Sequence, residues 1–183
     1  MRSAVLVIPL AGCLALGPKH PPPTRRAVVV GGIGAAAAAG ALVAAQQVHG
    51  ASGKAIAAEG AFGIGGGFVP SLALFTGEEP ESPTTEGGIY MALGSGLLNT
   101  LGVGFTVPVP PLTTFGAGQD VEGSKNPQRA FTGAFLGSTL GMVAALAIHK
   151  HVPKWARIAL GAALMGSFST LGYQLGGGGA EPR

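Results

Sequence analysis

The sequence predicts an all-α membrane protein, a bundle of four or five glycine-packed transmembrane helices, on three observations. The first is composition: of 183 residues, 33 are Gly and 30 are Ala. The second is charge, since only 10% of positions are charged against roughly 25% in a typical soluble domain. A mean hydropathy of +0.45 with so few charges excludes a disordered chain, which needs low hydrophobicity and high charge. It also speaks against an ordinary water-soluble domain. The third is placement: charge-free stretches run from Ala27 to Gly53, Gly60 to Gly77, Gly87 to Gln119, Ala130 to His149 and Ile158 to Ala180. A bilayer-crossing helix needs about 20 mostly apolar residues, so four of these stretches suffice and Gly60 to Gly77 is marginal. The formal charge of +3 is therefore a property of connectors. A nucleic-acid partner, which needs clustered cations with stacking aromatics, is not indicated, and the lipid bilayer is the expected surrounding.

Residues 1–12 read as a signal-peptide-like segment, with Arg2 as a minimal positive region and Ala4 to Leu10 as a short apolar core. Leu10, Ala11, Gly12 and Cys13 follow at once, and these four resemble the lipobox of bacterial lipoproteins. The resemblance implies cleavage before Cys13, lipid on that residue and a mature chain that starts there. The other reading is a short uncleaved anchor in which Cys13 is an inert buried thiol. A single Cys excludes an internal disulfide and a cysteine-rich zinc site. Residues 13–26 complete the lipobox Cys with a tether, because Pro21-Pro22-Pro23 cannot continue a helix and favours an extended spacer.

The membrane domain is expected over residues 27–176. Its first segment, Ala27 to Ala35, resembles the dinucleotide fingerprint of Rossmann enzymes, with Gly32, Gly34 and Ala37 at the spacing and Glu59 as a mimic of the ribose-binding acid. Such an enzyme would need further βα units downstream, and none is visible. The competing reading places Gly32, Ala36, Gly40 and Ala44 on one face of a helix.

Small residues every fourth position return as Gly133, Gly137, Gly141 and Ala145, then as Ala162, Gly166 and Thr170, and as Gly96, Thr100 and Gly104. In lipid, such faces let helix backbones approach closely and replace the hydrophobic drive that helices lack there. Lipobox-like residues followed by such segments resemble the small glycine-zipper lipoproteins and surface antigens of bacterial envelopes. That resemblance implies an envelope component without catalytic activity and supplies no active-site residues.

Between the apolar segments lie connectors. Glu78 to Glu86 is an acidic loop, Gln119 to Arg129 a mixed one, and His149 to Arg157 a basic one whose Trp155 suits an interface anchor. Residues 177–183 read as a flexible tail. The two candidate histidine ligands His149 and His151 have no carboxylate or thiol near them in sequence, and no metal or cofactor is expected. Asn99 and Gln174, carboxamides deep in apolar segments, read as helix-to-helix hydrogen bonders.

Two points stay open. Five crossings put Arg25, Arg26 and the Lys154 loop on one side, which the positive-inside rule makes cytoplasmic, whereas lipid on Cys13 puts Arg25 outside. A re-entrant second segment, with Gly65-Gly66-Gly67 and Pro70, would leave four crossings. The alternative fold is a small transmembrane β-barrel, because about 155 residues after the tether can make eight strands of roughly ten residues. Phe62, Phe68, Phe75, Tyr90, Phe105, Pro108, Pro110 and Pro111 carry its hairpin-like character, against few polar residues for a lumen.

The functional expectation is a non-enzymatic membrane protein of a bacterial envelope that associates with itself or another membrane protein through small-residue faces. The outer membrane is expected if Cys13 carries lipid, and the inner membrane otherwise. A small channel or transporter is the second class, disfavoured by the lack of ionisable residues in the apolar segments. A nucleotide-binding enzyme is the third.

Overall fold

A computed structural model describes residues 24–48, 51–75, 104 and 106–179. These form α1 (Arg25–Gln47), α2 (Gly53–Phe75), α3 (Val109–Val121), α4 (Pro127–Ile148), a 3-10 turn at His149–His151, and α5 (Lys154–Leu175). Among the described residues there is no strand, only an isolated bridge between Ser124 and Gly178. The barrel alternative is thereby corrected. Pro110 and Pro111 occupy the first turn of α3, where a missing N–H costs nothing and a fixed φ favours the helix.

α1, α2 and α4 each start where the sequence supplies a side-chain cap. The Thr24 hydroxyl accepts from Ala27 N at 3.2 Å, Ser52 Oγ accepts from Ala55 N at 3.2 Å, and Asn126 Oδ1 accepts from Arg129 N at 3.1 Å. All three satisfy amides that a helix start leaves without partners. Val28, Val29 and Val30 lie in the first turns of α1 rather than on a strand. The strand that a dinucleotide fingerprint requires is absent there.

α1, α2 and the α4 segment Pro127–His151 are long and apolar enough to cross a membrane. Among the described residues three helices meet this measure, and the expected four or five crossings are not confirmed. α3 has 13 residues, too short to span. In α5, Ser167, Ser169, Thr170, Tyr173 and Gln174 dilute the hydropathy of a 22-residue helix. α2 runs unbroken through Gly65-Gly66-Gly67 and Pro70, which corrects the re-entrant reading. Its backbone is held by the helices beside it, α3 and α5.

α5 is the axis of the bundle, packed against α4, α2, α1 and α3. Its N-terminal half, with Val152 of the connector before it, shares a core of Ala156, Leu160, Ala163 and Leu164 with Ala38 of α1, Phe75 of α2 and Ala145 of α4. A Cβ on Gly34 would stand 2.8 Å from Ile148 and 2.9 Å from Leu160, so the start of α1 lies beside the end of α4 and the start of α5. Arg25, Arg26, His149, Lys150, Lys154 and Arg157 therefore gather at one end. The described acidic residues, Glu59, Asp120 and Glu122, belong to the other end, where α2 begins and where α3 and α5 finish.

Side chains are distributed inside out relative to a water-soluble protein. Val28, Val29, Ile33, Val43, Phe62, Leu72, Leu136, Leu140 and Val143 are exposed, while Glu59, Ser71, Thr114, Ser138, Ser167, Thr170 and Gln174 are buried. Small residues bring the backbones together and hydrogen bonds join them.

Candidate functional site

The helix faces come first, because they position the polar groups. The stripe Gly133, Gly137, Gly141 lies along α5 of the same chain. A Cβ on Gly137 would overlap the Phe168 carbonyl oxygen, one on Gly133 would overlap that of Gly172, and one on Gly141 would stand 2.5 Å from that of Leu164. Ala145, 3% exposed, continues this seam into the apolar core. On the opposite face of α5, Ala162 meets Gly67, and Gly166 meets Gly63 and Ile64. The α2 stripe Gly63, Gly67 and Ser71 was concealed in sequence, because its charge-free stretch was short and its run of glycines suggested irregular backbone.

Other expected residues fall elsewhere. Gly104 has open space where a Cβ would be. On α1 the face Gly32, Ala36, Gly40, Ala44 is exposed, and the bundle takes up Gly34, Ala38, Ala41 and Ala45 instead. The large partners Ile148 and Leu160 need a recess, and Gly34 provides it. Trp155 lies in the first turn of α5, at the basic end. His149 Nδ1 is in contact with the Leu146 carbonyl oxygen, and its ring stacks on Phe75 at 6.0 Å. Among the described residues no group of three His, Cys, Asp or Glu could hold a metal. Leu10, Ala11, Gly12, Cys13, Gly96 and Asn99 lie outside the described residues, as does the acidic Glu78 loop.

At the end where α2 begins and α5 finishes, the seam between α2 and α5 encloses a carboxylate and a carboxamide. Glu59 sits two turns inside α2, four residues before Gly63 on the same stripe. Gln174 faces it from α5. Both are 0% exposed, and Gln174 Nε2 donates to Glu59 Oε1 at 2.8 Å and Oε2 at 3.0 Å. Gln174 thus makes the helix-to-helix bond that the sequence suggested. Glu59 alters the reading of its neighbourhood: an ionisable side chain does lie within a helix apolar enough to span a membrane.

A polar lid closes this end. Glu122 Oε1 accepts from Ser52 N at 2.9 Å, placing its charge at the positive N-terminus of α2. Tyr173 donates its hydroxyl proton to the Gly123 carbonyl at 3.0 Å, and Gln119 Nε2 donates to Ser124 Oγ. Gly123, Gly177 and Gly179 have φ of +76°, +97° and +80°, the left-handed region that a side chain disfavours. These turns fold residues 122–124 and 177–179 over the helix ends, where Gly179 N donates to Gly123 O at 3.2 Å.

The carboxylate has no described base, thiol or hydroxyl nucleophile arranged on it; its neighbour is a neutral amide. Such a pair can orient helices or hold a charge. Compared with family models, curated proteins and solved structures, the chain matches none of them.

Proposed function

We propose that this chain is a non-enzymatic membrane protein of a bacterial envelope that works by association, with copies of itself or with another membrane protein. The observation that supports it is the inside-out distribution: large apolar side chains outward on α1, α2 and α4, with small and polar ones inward. Exposed apolar area on this scale marks a lipid or protein contact. The α4 stripe is filled by α5, so association is assigned to the outer faces. One of these is a groove of about 640 Å³ between α4 and α5, walled by Leu136, Leu140, Leu171 and Leu175. Anchoring by lipid at Cys13 belongs to the same proposal and would direct the protein to the outer membrane; without it the inner membrane is assigned.

The test uses the full chain expressed in a bacterium. The protein should fractionate with membranes and give a discrete oligomer in mild detergent, and Leu140→Cys in a Cys13→Ser background should cross-link between copies. A monomer that leaves the membrane fraction without detergent overturns the reading. Intact mass decides processing, with a lipidated chain starting at Cys13 as the expected species.

A second reading, a carrier or channel for small ions, is favoured by one observation, the buried Glu59. Intramembrane ionisable residues commonly mark ion paths. Reconstituted vesicles should then leak cations, and Glu59→Gln should stop the leak.

A further inference from the structure

The end of the bundle that holds Glu59 leaves two buried acceptor oxygens without a donor. Gln174 Nε2 serves both Glu59 oxygens, which leaves Gln174 Oε1 without a hydrogen-bond partner although its side chain is fully buried. Glu122 Oε2 is also buried and without a partner. Both orphan oxygens face the same point of the lid: a Cβ on Gly179 would stand 3.1 Å from Gln174 Oε1 and 3.4 Å from Glu122 Oε2. The Glu59 carboxylate thus shares one neutral amide donor, while one oxygen of Gln174 and one of Glu122 have none. Turning the Gln174 amide over gives no relief, because it sets Oε1 against the Glu59 carboxylate.

α3 ends at Val121 and α5 at Leu175, so two helix C-termini meet here beside the N-termini of α2 and α4. A buried carboxylate without a balancing charge is costly. The donor set contains oxygen alone, which suits a hard cation rather than zinc or copper.

We propose that Glu59, Gln174 and Glu122 form a binding site for a small hard cation, Na⁺ or Ca²⁺, entered from the end of the bundle where α3 and α5 terminate. The cation replaces its water shell with the Glu59 carboxylate, Gln174 Oε1 and Glu122 Oε2, and fastens the lid to the α2 and α5 seam. The site rests on the second reading only in placing Glu59 inside the apolar bundle, and it requires no transport.

The experiment is thermal unfolding of the full chain in detergent micelles after chelator treatment, at fixed pH and ionic strength. NaCl or CaCl₂ replaces choline chloride. Ligand that binds only the folded state raises stability with the logarithm of its concentration, so the wild-type Tm should climb with one of the two ions and the responding ion is the one the site binds. Glu59→Gln should be at least as stable without added ion, because two carboxamides pair reciprocally, and its Tm should not respond. Glu122→Gln should weaken the response about tenfold in concentration, and it serves as the test if Glu59→Gln does not fold. Equal responses of wild type and both variants overturn the site. So does a wild-type Tm that moves with pH but with neither ion, which makes the proton the balancing charge. Vesicle flux and membrane fractionation report on the other readings separately.

Discussion

Gly137 and Gly40 are the same residue in helices of similar length, yet they answer different demands. A Cβ on Gly137 would overlap the Phe168 carbonyl, whereas nothing lies within 4 Å of one on Gly40. Gly137→Ala should therefore destabilise by about 1–3 kcal/mol through overpacking, and Gly40→Ala should stabilise by up to about 1 kcal/mol through helix propensity. Unfolding of both variants in the same detergent checks this, and the reverse ranking would refute the α4 and α5 seam. At Glu59 the contrast is between alanine and glutamine. Glu59→Ala strands the Gln174 amide in the interior at a cost of about 1–3 kcal/mol, while Glu59→Gln keeps its partner.

At the scale of the element, α2 shows how little a helix's own pattern reveals in lipid. Its stripe Gly63, Gly67, Ser71 packs on Gly166 and Ala162 of α5, and Gly66 packs on Thr113 and Pro110 of α3. Gly65, between them, faces open space. Gly67→Leu should separate α2 from α5 and increase trypsin cleavage in detergent, and Gly65→Leu should leave the digestion pattern unchanged. Identical digestion of the two would remove the helix pairing. Pro70 is accommodated because its position is buried against packed neighbours rather than exposed to lipid, where a freed carbonyl has no partner.

On the scale of the whole molecule, the cations weigh toward one end of the bundle. Arg25, Arg26, Lys150, Lys154 and Arg157 share that end, and Lys54, Lys125 and Arg129 lie with Asp120 and Glu122 at the other. The positive-inside rule assigns the basic end to the cytoplasm. In a Cys13→Ser background, Arg26→Cys should resist a membrane-impermeant thiol reagent applied to spheroplasts, and Asp120→Cys, at an exposed position, should react. The opposite pattern would reverse the orientation and agree with a lipid anchor outside the cytoplasm.

The sequence by itself pointed to a membrane chain and favoured helices over a barrel, because charge placement and small-residue spacing are local properties that survive any packing. The stripe Gly133, Gly137, Gly141 and the bonding role of Gln174 were legible for the same reason. Only the tertiary structure decided which side of each helix turns inward. On α1 the face is set by Ile148 and Leu160, more than a hundred residues away in the chain, so Gly34 is enclosed and Gly32 is not. The same holds for the candidate site. Glu59 falls outside the charge-free stretches in sequence, since it lies five residues after Lys54 and immediately precedes the stretch that begins at Gly60. It becomes an interior carboxylate because α5 lies antiparallel to α2 and brings Gln174, 115 residues away, onto its side chain.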